Sequence, residues 1–141
     1  MTESIPEFPQ WSPKTLSEMI SDFNSSISNG RLPYFECSAC HHRFPFPRLE
    51  CPKCRSKSIS IRHSAGIGTI YSFTIVHRSS SPTTRTPYIV ALVELTEGTK
   101  LYANVAYHDN VSIGSKVRVK FDDVSDGLEN GRSKKPIFEL M

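Results

Sequence analysis

A mainly β fold is predicted for this 141-residue chain: an N-terminal amphipathic helix, a ribbon built on four cysteines, and a five-stranded barrel. Three observations point there. Apolar residues recur at helical spacing before residue 30, all four cysteines fall in the stretch CSACHHRFPFPRLECPKC (37–54), and short β-rich segments follow one another from there to the C-terminus. With 38% hydrophobic and 22% charged residues and no apolar run near the ~18 residues a membrane span needs, the composition is that of a soluble globular protein without a membrane role. The start, MTESIPEFPQW, has neither the basic opening nor the apolar stretch of a secretory signal, and this places the chain in the cytoplasm.

The helix is expected in WSPKTLSEMISDFNSSISNG, where Leu16, Met19, Ile20, Phe23 and Ile27 form one apolar face. Ser12 offers an N-cap, Pro13 suits the first helical position, Trp11 can staple onto Leu16, and Gly30 ends the helix. Those five apolar side chains must dock either on the rest of the chain or on another subunit, so they are the candidate partner-binding residues. Upstream, IPEFPQW alternates prolines with large apolar residues and suggests an extended arm lying on a surface.

In the next segment Cys37, Cys40, Cys51 and Cys54 form two Cys-x-x-Cys pairs ten residues apart. Disulfides and a redox dithiol compete with metal as explanations. A disulfide scaffold would spread its cysteines along the chain, and a redox pair stands alone at a strand-to-helix junction, so metal ligation is the economical reading. Four thiolates converging from two knuckles make a closed tetrahedral site, structural rather than catalytic, suited to zinc; iron makes the same ligand demand and stays open. Arg43, Arg48, Lys53, Arg55 and Lys57 are expected to offset its negative charge. Counting four thiolates and a divalent metal lowers the formal net charge of +3 to about +1. His41 and Arg55 stand where such knuckles favour glycine; left-handed geometry there would cost each about 1 kcal/mol, against about 10–16 kcal/mol that structural zinc supplies to a small module.

The barrel strands are expected from GTIYSFTIVH, PYIVALVEL, KLYANVAY, SKVRVKF and KPIFELM, with SISIR before them. TEGTK reads as a tight hairpin, SIGSK delivers the next strand, DDVSDGLENGRSKKP is a polar loop, and Gly66 and Gly68 supply a bulge or coil as the first long strand opens. Five strands in this order suggest an OB-like barrel. The division is then an arm and helix over 1–30, a zinc ribbon over 31–62 and the barrel over 63–141.

The combination of RLPYFECSACHHRFPFPRLECPKC, GIGTIYSFTIVHR, PYIVALVEL and SIGSKVRVKF resembles one family, the acyl-CoA-associated OB-fold proteins called domain of unknown function 35, whose ribbon is rubredoxin-like. The resemblance runs from about Trp11 to the C-terminus. It implies a bound metal and a non-catalytic accessory or scaffold role beside thiolase-fold enzymes such as acetoacetyl-CoA thiolase and hydroxymethylglutaryl-CoA synthase, within a hetero-complex. In bacterial relatives it implies steroid side-chain thiolases, hydratases or aldolases as partners. Contact with acyl-CoA is a further implication, and Arg78 and Arg85, flanking the hydroxyl-rich segment between the first two barrel strands, are the candidates for its phosphates.

An enzyme is not expected. There is no Gly-x-Ser-x-Gly elbow, no His-Glu-x-x-His, no phosphate-binding glycine loop with lysine, and no cysteine outside the knuckles for acyl transfer. The alternative function is single-stranded nucleic-acid binding, with Tyr71, Phe73 and Tyr102 as stacking groups. Against it, residues 61–141 carry ten Lys or Arg and eight Asp or Glu, too even a balance for a groove that tracks phosphates.

Overall fold

The structure, a computed structural model, describes residues 15–78, 86–123 and 133–141. Helix α1 spans Leu16–Ser28. Its start is a capping box: Thr15 Oγ1 accepts from the Glu18 N–H at 3.1 Å, and Glu18 Oε1 accepts from the Thr15 N–H at 3.0 Å. This corrects the expected start. Thr15, not Ser12, is the N-cap, so Pro13 precedes the helix; the Trp11 staple lies outside the described residues. At the other end Gly30, at φ +77°, lets its own N–H reach Ile27 O and the Arg31 N–H reach Ser26 O, which closes the last turn.

The ribbon is an antiparallel three-stranded sheet in the order β2-β1-β3, formed by β1 (Pro33–Cys37), β2 (Arg43–Phe44) and β3 (Ile59–His63). Every residue of β1 is buried: Phe35 and Cys37 lie on the face that α1 covers, and Tyr34 and Glu36 on the other, beside Arg43. Met19, Phe23 and Ile27 pack with Phe35, Phe44, Ile59, Cys37 and Cys51 in one core. The ring centroids of Phe23 and Phe35 lie 6.0 Å apart and those of Phe35 and Phe44 5.7 Å apart, so the aromatic rings form a row through it.

The second sheet closes into a barrel in the order β4-β5-β6-β8-β7, with β4 (Ile67–Val76), β5 (Tyr88–Leu95), β6 (Lys100–Val105), β7 (Lys116–Asp123) and β8 (Lys134–Leu140). This is an OB-like barrel. Alternation in β5 puts Ile89, Ala91, Val93 and Leu95 inside, where they meet Ile70, Leu101, Val105, Val117 and Phe138. Gly66, at φ +80°, supplies the expected coil as β4 opens, and a bulge follows at Tyr71, where the register slips between Ile70 and Ser72 and turns the tyrosine outward. Gly68 instead permits a close approach of strands. A Cβ there would stand 2.7 Å from Val93 Cγ1 and 2.8 Å from the Glu94 carbonyl oxygen, so its bare backbone lets β5 close in. The ladders are unequal, since among the described residues β7 and β8 pair in register over seven residues but β6 and β8 at the one pair Val105 and Phe138.

Among the described residues, three sets of contacts join α1 and the ribbon to the barrel. Leu32, just before β1, is buried in the barrel core, and its carbonyl accepts from the Ser64 N–H at 2.8 Å. Ser28 Oγ accepts from the Ser133 N–H at the start of β8. At the tip of the β5–β6 hairpin, Glu97 accepts from the Ser64 hydroxyl at 2.7 Å and the Ala65 N–H at 2.9 Å, while its backbone carbonyl accepts from Arg43 Nη1 at 2.7 Å. Replacing Glu97 with Ala is expected to cost about 1–3 kcal/mol, because two hydrogen bonds to an ionised group disappear. Urea unfolding checks this, and a loss within error would mean that Leu32 and Ser28 hold the joint without it.

Candidate metal centre

Each knuckle is a turn that folds a sulfur pair inward. In the first, the His41 N–H bonds the Cys37 carbonyl at 2.8 Å and the Cys37 N–H bonds the His42 carbonyl at 2.9 Å; in the second, Arg55 and Cys51 repeat the first contact at 2.9 Å, and the Cys51 N–H bonds Ser56 O at 2.8 Å. Both turns need a left-handed residue, and His41 (φ +63°) and Arg55 (φ +68°) supply it without being glycine. Arg55→Gly is therefore expected to stabilise the metal-loaded protein by about 0.5 kcal/mol, the relief of about 1–2 kcal/mol being partly offset by glycine's greater unfolded entropy. A fall in the thermal midpoint would show that the arginine side chain contributes more than its backbone costs.

The four Sγ atoms of Cys37, Cys40, Cys51 and Cys54 all lie within 4.8 Å of one another. The shortest approaches cross between the knuckles, 3.6 Å for Cys37 with Cys54 and 3.6 Å for Cys40 with Cys51. A tetrahedral metal about 2.3 Å from each sulfur needs sulfurs about 3.8 Å apart, so the donor set fits one thiolate-loving ion. Such an ion would tie the two knuckles together and leave no open position for substrate.

The local backbone prepares thiolates. Burial pushes the Cys37 thiol up, but hydrogen bonds from the Cys40 and Ala39 N–H groups outweigh it and hold it at about 6. Cys51 behaves alike: burial is overcome by the N–H groups of Cys54 and Lys53, the latter 3.4 Å from the sulfur, and the thiol is lowered. At Cys54 the Ser56 N–H favours the thiolate, but burial and the neighbouring sulfurs of Cys37, Cys40 and Cys51 push it up to about 12. Sulfurs crowded this closely resist a full set of negative charges until a cation is shared among them.

The expected cationic screen is only partly in place, because Arg43 is committed elsewhere. It reaches Glu97 O, lies 5.9 Å from the Tyr34 ring centroid and stands 3.9 Å from Glu36. Glu36 is the residue that sequence reasoning missed. It is buried beside Cys37, with Arg62 Nε at 2.7 Å and His41 Nδ1 at 3.4 Å, so it links all three ribbon strands and the first knuckle. A lone acid inside the apolar run PYFEC was the available signal.

Other candidates fall apart in space. Met19, Phe23 and Ile27 are buried against the ribbon, which removes them from the partner-binding set, whereas Leu16 and Ile20 are each 43% exposed. The helix face is thus consumed mainly within the chain. Arg78 is exposed just beyond β4, and Arg85 lies outside the described residues. On the outer face of β4–β6, Tyr71 and Tyr102 are exposed, while Phe73 leans on the barrel core.

Comparison with known proteins agrees with this architecture. The family described as the C-terminal OB-fold domain of ChsH2 matches residues 62–122. Among full-length relatives, a DUF35 domain-containing scaffold protein of Methanothermobacter thermautotrophicus is 31% identical over 103 residues, covering 68% of this chain and 75% of that one. A probable enoyl-CoA hydratase alpha subunit of Thermomonospora curvata is 39% identical over 89 residues, which cover 62% of this chain but only 28% of the relative. Similarly, the 3-oxo-4,17-pregnadiene-20-carboxyl-CoA hydratase alpha subunit of Mycobacterium tuberculosis is 36% identical over 76 residues, covering 51% of this chain and 24% of its own length. The chain therefore spans about a quarter of the two hydratase subunits. Among solved structures, a chain of the Ltp2-ChsH2(DUF35) aldolase superposes with a TM-score of 0.75 at 30% identity, over 91% of this chain and 98% of that one. A DUF35 protein of Sulfolobus solfataricus shares the fold, with a TM-score of 0.61 at 17% identity over 91% of this chain and 87% of that one. Because the likeness to the scaffold protein and to the aldolase chain extends over most of the length of each, this protein belongs to the DUF35 family.

Proposed function

We propose that this chain is a non-catalytic accessory subunit that docks on a thiolase-fold enzyme handling acyl-CoA, with acetoacetyl-CoA thiolase and hydroxymethylglutaryl-CoA synthase as the leading partners and zinc as the structural ion. The observation that carries the reading is the relationship to a scaffold protein over three quarters of that protein's length. It is supported by the fate of the thiols: all four cysteines of the chain point into one cluster, and none is left to accept an acyl group. Arg78 is the described candidate for the phosphates of coenzyme A. The test is native-abundance purification from the source cells, followed by reconstitution of this chain with the purified candidate enzyme. A defined complex with a thiolase-fold enzyme that survives moderate salt supports the proposal; no complex with either leading partner, or turnover of acetoacetyl-CoA by this chain alone, would sink it.

Single-stranded nucleic-acid binding is the competing reading, favoured by the exposure of Tyr71 and Tyr102 on one sheet face. That face argues more strongly for protein. Tyr102 lies across from Leu92, Lys100 is paired with Glu94 and sits 4.8 Å from the Tyr71 ring centroid, and Val90 is half-buried beside Ala91, so the surface is apolar with balanced charge. Failure to bind a single strand even at low salt would end the competing reading.

A further inference from the structure

Where the first turn of α1 meets the chain between the knuckles, a groove of about 720 Å³ opens on the surface. Its apolar lining comes from Leu16, Phe46, Pro47, Leu49 and Pro52. Three of these side chains are substantially uncovered among the described residues, Leu16 at 43%, Phe46 at 49% and Leu49 at 41%. Ile20, one turn along α1 from Leu16 and equally exposed, extends the strip. The floor beneath is firm, because the Phe46 ring lies 6.3 Å from Phe23 at the head of the aromatic row. A concave apolar surface on a packed support is the setting in which a partner's large side chain is anchored.

The charges around the groove define the partner's chemistry. Arg48 and Arg55 line it together with Glu50, and Lys53 and Lys57 stand exposed beside the second knuckle. None of these four cations makes an ion pair among the described residues, unlike Lys120 and Lys134 on the barrel. Setting Glu50 and a cluster of four thiolates with one divalent ion against them still leaves this surface at about +1. A second copy is disfavoured, since it would bring two sets of cations together. A nucleic-acid strand is disfavoured too: Phe46 is the one aromatic ring in the lining, which is otherwise aliphatic and proline-rich and offers no row of stacking groups. The surface fits a protein segment with carboxylates beside bulky apolar side chains, each guanidinium taking a carboxylate in paired hydrogen bonds. The outer face of β4–β6 is the rival surface, but there Lys100 already lies across from Glu94 and over the Tyr71 ring.

We infer that the groove between α1 and the knuckles is the docking site for an acidic, apolar segment of the acyl-CoA enzyme, with Leu16, Phe46 and Leu49 receiving its apolar side chains and Arg48 and Arg55 its carboxylates. This rests on the accessory-subunit reading and adds to it the surface used and the chemistry of the partner's contact. The test takes the metal-loaded full chain and the purified enzyme, and measures their dissociation constant at low and at moderate salt. Leu49→Asp and Arg48→Glu, both at exposed loop positions, should each weaken the complex at least about tenfold while metal content and circular dichroism stay unchanged; Tyr102→Ser on the barrel should leave it within about twofold. Arg48→Glu should also flatten the salt dependence, because one of the screened charge contacts is gone. Absence of any complex with the unaltered chain would sink the accessory-subunit reading and this site with it. A complex that Tyr102→Ser weakens and the two groove variants spare would keep that reading and overturn the site. So would dimers of the chain that Leu49→Asp dissolves, which would assign the groove to a second copy, or low-salt binding of a single-stranded oligonucleotide that Arg48→Glu abolishes.

Discussion

Stripping metal from the four-cysteine cluster should unfold α1 and the three-stranded ribbon and leave the barrel standing. The reason is the division of the interior into two cores that share no residue. Among the described residues the ribbon core has eight that are buried, and two of them, Cys37 and Cys51, belong to the cluster itself. So small a core cannot offset the ordering of about 45 residues, and a structural ion contributes about 10–16 kcal/mol in modules of this size. The barrel core has ten buried residues among those described, and no cysteine. Hydrogen exchange with and without a strong chelator makes the comparison directly: amides of β1 and β3 should lose protection while those of β5 and β7 keep it. Simultaneous loss in both would show that Leu32 and Glu97 weld the halves into one cooperative unit.

Phe138→Ala is expected to remove about 3–5 kcal/mol from the barrel, a large share of the about 5–15 kcal/mol that a domain possesses. Phe138 is fully buried, pairs with Val119 on one side and Val105 on the other, and its carbonyl accepts from the Ala106 N–H at 2.7 Å. Truncation leaves a cavity at the place where the sheet closes on itself. Urea unfolding of the metal-loaded protein should show an earlier barrel transition with the ribbon transition unmoved, and the effects of Phe138→Ala and of chelation should add. A loss below about 1 kcal/mol would mean that neighbouring side chains collapse into the space, and closure would then rest on the backbone ladders instead.

Much of this architecture is legible in the sequence because its signals are local. Alternation in YIVALVEL announces a strand with one buried face, and two Cys-x-x-Cys pairs mark four candidate ligands before any fold is known. The helix face is legible too, but its destination is not: periodicity says that Met19, Phe23 and Ile27 are covered without saying that Phe35 and Phe44 cover them. Strands β1 and β2 escape notice because the metal knuckles draw the whole segment into one motif and β2 has only two residues. The start of α1 is misplaced by sequence reasoning although Thr15-Leu-Ser-Glu18 spells a capping box; the Ser-Pro three residues earlier competes with it, and the mutual Thr15–Glu18 hydrogen bonds decide the matter. Glu36 and Glu97 cannot be found from spacing. Their roles depend on arginine groups from other strands and a serine from the link between β3 and β4, which only the folded chain assembles.

That Val105 and Phe138 are the one register pair between β6 and β8 among the described residues bears on how the protein behaves in crowded or heated solution. A barrel that parts at that seam becomes a flat antiparallel sheet in the order β6-β5-β4-β7-β8, with two raw edges. Each edge offers unpaired amides to whatever chain is nearby. Lys100 on β6 and Lys134 and Lys135 on β8 then act as gatekeepers, since like charges meeting edge to edge repel. The placement of those lysines guards the side on which the sheet opens, and charge-neutral replacements there would cost the folded barrel only the exposed Lys134–Asp123 ion pair while making its heated form sticky.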